Sequence, residues 1–327
     1  MKCIFCNDEI NEFNFSKEHI IPKFLGGTRV IVNVCNRCNE YMGSGFEKEL
    51  SENIIIQFIQ TFYGMKNRRS KKFISPDFSF ELNQNSYFGT DDEGHPLILY
   101  KPLIDENSDK IIVDQMMSRD IVDKMIEGKL TKLCQENVGK NVIFNIHSKK
   151  ILHYGIPEEF SFELNGDLLI KLLIKIAYEF TASCLDLNYL EDEQLFICQD
   201  IIIQDNMDSY DIEEIILDFN KNNQKLNYIV NNVIQVAKIN TINVHHNNEL
   251  IYPSGSDFSH KVSLIKQINK LIVDIDLFDI IKAKVCVSKD VSKFDFSEGE
   301  ICNLIVGIKN DEQFNEFNTK YPNIRLN

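Results

Sequence analysis

Apolar and polar positions follow two different periods along this chain. From Asn165 to Cys184, "NGDLLIKLLIKIAYEFTASC", apolar residues cover most of a helical circumference, and Asn165 or Asp167 stands where an N-cap belongs. Its charges Lys171, Lys175 and Glu179 repeat at helical spacing and form one narrow stripe, expected to be the solvent edge of a helix central to the core. "NIIIQFIQTF" (53–62) reads as an apolar helix, and "NRCNEYMGSGFEKEL" (36–50) reads as a helix start in which Glu40, Glu47 and Glu49 form a solvated face. Alternation at period two predicts strands in "FSFELN", at 78–83 and again at 160–165. "NVIFNIH" (141–147) and "KILHYG" (150–155) read as a hairpin, and "LFICQDIII", "INVHH", "ELIY", "AKVCVS" and "ICNLIVGI" as further strands. The Asn-rich "DFNKNNQKLNYIVNN" (218–232) reads as a mobile connection or frayed helix, and "DEQFNEFNTKY" (311–321) as a short closing helix. The order of segments is too irregular for a doubly wound sheet, so the expected class is α+β.

Three regions follow from this pattern: a cysteine-bracketed module at 1–52, a helix and basic connector at 53–75, and a larger α+β accessory domain at 76–327. A chain of 327 residues with 43% hydrophobic content has room for two or three domains and a large core. No apolar run approaches the roughly 18 residues of a membrane span, and the first residues lack the basic-then-apolar order of a signal peptide. A soluble, cytoplasmic protein with no membrane partner is expected.

Charge changes the picture because it is uneven. The whole chain is −14, but residues 1–75 hold 11 Lys and Arg against 8 Asp and Glu, a net of +3, while the remainder holds 24 against 41, a net of −17. Phosphate is repelled by the C-terminal bulk and tolerated by the N-terminal part. Five of those 11 cations, Lys66, Arg68, Arg69, Lys71 and Lys72, cluster in "KNRRSKK" and suit sequence-independent phosphate contacts. The acidic remainder is a candidate surface for a protein partner or for homo-oligomerisation.

Four of the nine cysteines form two Cys-x-x-Cys pairs, Cys3 with Cys6 and Cys35 with Cys38. This spacing lets one turn of backbone offer two sulfurs to one ion, and two such pairs fit tetrahedral zinc. A redox pair opens a helix after a strand in a thioredoxin-like unit, and the pattern here shows no such unit. The other five, Cys134, Cys184, Cys198, Cys286 and Cys302, sit mostly in apolar runs and read as small core residues. Between the pairs lies "SKEHIIPKFLGG" (16–27). A histidine that titrates near neutrality suits a general base, while an adjacent carboxylate and an amide oxygen suit a hard divalent ion. The other six histidines form no ligand pattern and read as structural or surface residues.

Taken in order, Cys-x-x-Cys, Glu-His-Ile-Ile-Pro, Leu-Gly-Gly and Cys-x-x-Cys-Asn resemble the HNH endonucleases, in particular the zinc-stapled branch that includes the phage resolvase endonuclease VII. The resemblance spans about residues 1–52. It implies a ββα-metal fold with a structural zinc on Cys3, Cys6, Cys35 and Cys38. It implies His19 as the general base, and Glu18 and Asn39 as ligands of a catalytic Mg²⁺ or Mn²⁺. Many members have Asp where this chain has Glu18. The residue that orients the base is less clear by position: Asn33 comes first in order, with Asn36 or a backbone carbonyl as alternatives. The resulting expectation is a metal-dependent nuclease that cuts DNA, with a regulatory C-terminal domain, in a setting such as antiviral host defence. The rivals are a non-catalytic zinc-ribbon binding module and an RNA-cleaving enzyme of the same family.

Overall fold

A computed structural model describes residues 1–63, 86–90, 96–100, 103–105, 110–114, 141–145, 164–185, 192–242, 259–294, 299–307 and 314–315. The basic cluster Lys66, Arg68, Arg69, Lys71 and Lys72 lies outside them, as do Cys134, "KILHYG", "ELIY", the first "FSFELN" and every histidine except His19 and His260. The architecture is α+β, a small cysteine module together with a larger sheet-containing part. No helix among the described residues is long and apolar enough to cross a membrane.

The chain divides into two compact units. One comprises Lys66–Ser161 and Ile229–Pro253. Its described strands are β3 (Ser86–Thr90) paired with β4 (Pro96–Tyr100), and β5 (Leu103–Asp105), β6 (Lys110–Asp114) and β7 (Asn141–Asn145). β5 and β6 are antiparallel, whereas β7, the strand read from "NVIFNIH", lies parallel to β6.

The other unit joins Met1–Met65, Phe162–Tyr228 and Ser254–Asn327. Here β1 (Glu18–His19) pairs antiparallel with β2 (Val30–Ile31), and α1 (Asn36–Ser44), α2 (Phe46–Glu52) and α3 (Ile54–Phe62) follow. α4 (Gly166–Cys184) is the long helix anticipated from its pattern, and Asn165 caps it through side-chain Oδ1, which accepts from the Asp167 and Leu168 amides at 3.0 and 3.3 Å. A six-stranded antiparallel sheet completes the unit, in the order β13 (Phe314–Asn315), β12 (Gly299–Gly307), β9 (Ser259–Gln267), β10 (Lys270–Leu277), β11 (Ile281–Ser288), β8 (Ile216–Lys221). α4 packs on β9, β10 and β11 on one side and touches α2 on another. That double contact is why almost every residue from Leu169 to Cys184 is buried. Cys184, Cys198, Cys286 and Cys302 are buried as expected of core residues.

Three segments differ from their sequence reading. "LFICQDIII" is not a strand but lies in α5 (Glu193–Gln204). Asp192 caps that helix by accepting from the Gln194 amide at 2.9 Å, and Leu195, Cys198, Ile201 and Ile202 are buried while Phe196 is exposed. The β-branched run conceals this helical spacing. The Asn-rich stretch takes regular structure: its first residues form edge strand β8 against β11, and Asn222 caps the start of α6 (Asn223–Ile242) by accepting from the Lys225 amide at 3.0 Å. Within "DEQFNEFNTKY", Phe314–Asn315 is a strand beside β12, and its other residues lie outside those described.

The Leu-Gly-Gly segment ends a short 3-10 turn at Lys23–Leu25. Gly26 adopts a left-handed backbone, with φ of 84°. A Cβ on Gly27 would come within 1.6 Å of the Ile21 carbonyl oxygen, which is backbone and cannot swing aside. Gly27→Ala is therefore expected to destabilise the protein by at least about 2 kcal/mol, read as a lower midpoint in chemical denaturation.

Candidate active site

The cysteine module is built from short segments that have little core of their own. Cys3 begins a tight knuckle: its amide donates to the Asp8 carbonyl at 2.8 Å, its carbonyl accepts from the Asn7 amide at 3.0 Å, and Asn7 takes a left-handed backbone. The bridge between Phe15 and Cys35 brings the second pair alongside. The four sulfurs then lie within 4.8 Å of one another, and those of Cys6 and Cys35 are 3.6 Å apart. Tetrahedral zinc with bonds of about 2.3 Å sets its sulfurs about 3.8 Å apart, so the cluster fits that ion. Charge supports the same fit. A hydrogen bond from Cys38 lowers the Cys3 thiol to about 4, while its partner Cys38 is pushed up by that bond and by burial. Burial raises Cys6 to about 11. Four thiolates at this spacing need a cation among them.

Neighbouring elements grip the module by its backbone. Tyr178 of α4 and Gln199 of α5 both donate to the Ile4 carbonyl, and Gln199 also donates to that of Phe5. Gln60 of α3 donates to the Phe24 carbonyl at 2.9 Å. His260 of β9 meets the Leu25 carbonyl at 2.7 Å through Nε2, which fits the structural role read for it.

Glu18 and His19 occupy β1, opposite Ile31 and Val30. Successive strand residues point to opposite faces, and here their environments differ accordingly: Glu18 is 4% exposed and His19 is half-buried. Among the described residues, the His19 ring has no hydrogen-bond partner, so neither Asn33 nor Asn36 orients it here. Asn33 contributes its carbonyl instead, accepting from the Ile4 amide at 2.9 Å. Burial, then the positive charges of Lys23 and Lys175, hold the His19 imidazole below the usual histidine value. These surroundings favour the neutral imidazole, the form that can accept a proton.

Asn39 sits in the first turn of α1, next to Cys38, rather than at the helix cap. Its side-chain amide nitrogen donates to Ser16 Oγ at 2.6 Å and to the Lys17 carbonyl at 3.4 Å. With the nitrogen so engaged, Oδ1 remains as the acceptor that a hard cation takes.

Glu18 has a partner that its local sequence does not reveal. Lys175 of α4 is fully buried, and its ammonium lies 2.6 Å from Glu18 Oε1, 2.8 Å from the His19 carbonyl, 2.9 Å from Glu47 Oε1 and 3.2 Å from Glu179 Oε2. The expected solvent edge of α4 is thus an inward face. Lys171 is likewise buried, paired with Asp205 at 2.6 Å and lying over the Phe46 ring. Of the acidic face expected on α1 and α2, Glu40 and Glu49 are exposed but Glu47 turns in to Lys175. Burial opposes the charge on Lys175, but Glu179, Glu47 and Glu18 outweigh it and raise its pKa. Three carboxylates share this one ammonium. Burial raises Glu18 and lifts Glu179 well above the carboxylate range, favouring the neutral form of Glu179. Lys175 engages Oε1 of Glu18, and the Asn39 side chain donates through its nitrogen, which leaves Asn39 Oδ1 as an acceptor.

Residues 3–55 match the family model for HNH endonuclease. The matched span contains both cysteine pairs, Glu18, His19 and Asn39. No curated protein and no solved structure matches the chain.

Proposed function

We propose that this HNH module hydrolyses phosphodiester bonds of DNA in a reaction that depends on a divalent metal ion, with His19 as the general base. The observation that supports the reading best is the state of His19. Its ring is half-buried, kept neutral by burial and by nearby cations, and carried on a strand fixed beside a four-cysteine cluster within the residues that match the family. In this reading His19 removes the proton from an attacking water. The strand, tied down through the His19 carbonyl, holds the imidazole in place. Asn39 and Glu18 hold Mg²⁺ or Mn²⁺, which when bound offsets charge developing on the phosphate and leaving oxygen. Ser16 and Lys17 orient the Asn39 amide for that role. Zinc acts structurally, fixing Cys38 and so its neighbour Asn39.

The excess of positive charge in residues 1–75 favours binding of a polyanion, with Lys66, Arg68, Arg69, Lys71 and Lys72 as phosphate contacts. The acidic remainder repels nucleic acid and is assigned to control, through a protein partner or a second copy of the chain. A nuclease of this kind suits defence against invading DNA.

Supercoiled plasmid incubated with the full chain and Mg²⁺ or Mn²⁺ is expected to be nicked or linearised, with cutting abolished by EDTA and weakened by added salt. Cleavage of RNA alone would reassign the polymer. Inertness towards both, with either metal, would favour a binding module.

A further inference from the structure

We infer that Lys175 is a positioning residue of the nuclease site, so that the catalytic strand is held by a helix far along the chain. The inference rests on the nuclease reading given above. Its basis is the number and kind of contacts that one side chain makes. The Lys175 ammonium has a short bond to the Glu18 carboxylate and another to the backbone carbonyl of His19, at 2.6 and 2.8 Å. It therefore holds the assigned metal ligand by its side chain and the assigned base by its backbone. The two remaining neighbours, Glu47 on α2 and Glu179 one turn further along α4, close a cage of four oxygens around it. An ammonium has three protons and no freedom to serve substrate from such a cage. Lys175 is fully buried, so it takes no direct part in chemistry at a solvent-accessible phosphate.

The arrangement does more than join two surfaces. Tyr178 and Gln199 already fasten the module to α4 and α5 near Ile4 and Phe5. Packing alone asks for an apolar side chain at position 175, as at its buried neighbours Ile174 and Ile176. A buried ammonium is costly there unless oxygens compensate it, and two of its oxygens come from the residue pair assigned to catalysis. With the ammonium engaged on Oε1, the carboxylate of Glu18 cannot rotate freely, and the two-residue strand gains an anchor that its short pairing with β2 cannot supply.

The test compares full-length variants. K175M alone leaves three carboxylates around an apolar side chain and risks misfolding, so the decisive variant is K175M/E179M, which removes the fully buried carboxyl together with the ammonium and keeps apolar volume. E47Q loosens the cage without touching the bonds to Glu18 and His19. Each is checked for zinc content and thermal midpoint, then assayed on plasmid with Mn²⁺, and amide hydrogen exchange is followed across residues 17–21. K175M/E179M is expected to bind zinc normally, to lose about 100-fold in kcat with KM unchanged, and to exchange faster at 17–21, while E47Q keeps the wild-type rate. Wild-type kcat in K175M/E179M overturns the role of Lys175 and leaves the nuclease reading intact. If wild type itself cuts nothing, that reading fails, and exchange alone judges the anchor: faster exchange at 17–21 in K175M/E179M upholds it, and unchanged exchange overturns it.

Discussion

Cys38→Ser is expected to release zinc and unfold the N-terminal module, the largest structural effect of any single change considered. The segments around the cysteines are turns, two isolated bridges, a strand pair two residues long and the first turn of the nine-residue helix α1. Such pieces bury too little apolar surface to fold unaided. Structural zinc supplies about 10–16 kcal/mol of apparent binding energy in small modules, and that energy is folding energy. A serine hydroxyl is a poor substitute for thiolate, and the remaining crowded thiols then repel one another as they ionise. Metal analysis should show about one zinc per wild-type chain and almost none in the variant. Amide protection should fall across residues 1–52 but persist in α4 and the six-stranded sheet. Undiminished zinc in the variant would show that Cys38 is not a ligand.

His19→Ala is the second large effect, and it falls on chemistry instead of folding. The imidazole makes no hydrogen bond among the described residues, and its backbone carbonyl, which alanine retains, carries the contact to Lys175. Stability should therefore change by no more than about 1 kcal/mol. Removal of a general base costs about 10²–10⁴-fold in rate, so cutting should fall by that factor while zinc content and plasmid affinity persist. The pair of results separates the two ions: Cys38→Ser loses structure and activity together, and His19→Ala loses activity alone.

The local parts of this site were legible in the sequence because their signals are local. Two Cys-x-x-Cys pairs state a ligand geometry by spacing alone, and the structure brings all four sulfurs together. Glu18, His19 and Asn39 were named from the family resemblance, and the structure places the first two on β1 and the third in the first turn of α1. The long apolar pattern of α4 was equally plain, and of the two cap candidates, Asn165 and Asp167, the structure uses Asn165. The stripe on α4 was misread because a charged row at helical spacing looks the same whether it faces water or a buried acid. The side chain that decides the matter, Glu18, is 157 positions from Lys175. Glu47 misled for the same reason, since its inward turn depends on that distant lysine. "LFICQDIII" misled differently: its β-branched residues favour strand in isolation, and only packing against β11 and the Asp192 cap, itself bonded to Ser288 at 2.6 Å, selects helix. Long-range pairing of this kind leaves no periodic trace in either segment.

The claim at the centre of this account is that His19 activates water for phosphodiester cleavage. The most direct test incubates zinc-loaded wild type and zinc-loaded His19→Ala with supercoiled plasmid and Mn²⁺ in parallel, and counts nicked and linear product over time. The account predicts conversion by wild type, stopped by EDTA, and at least about 100-fold slower conversion by the variant. Equal rates from the two proteins would contradict it.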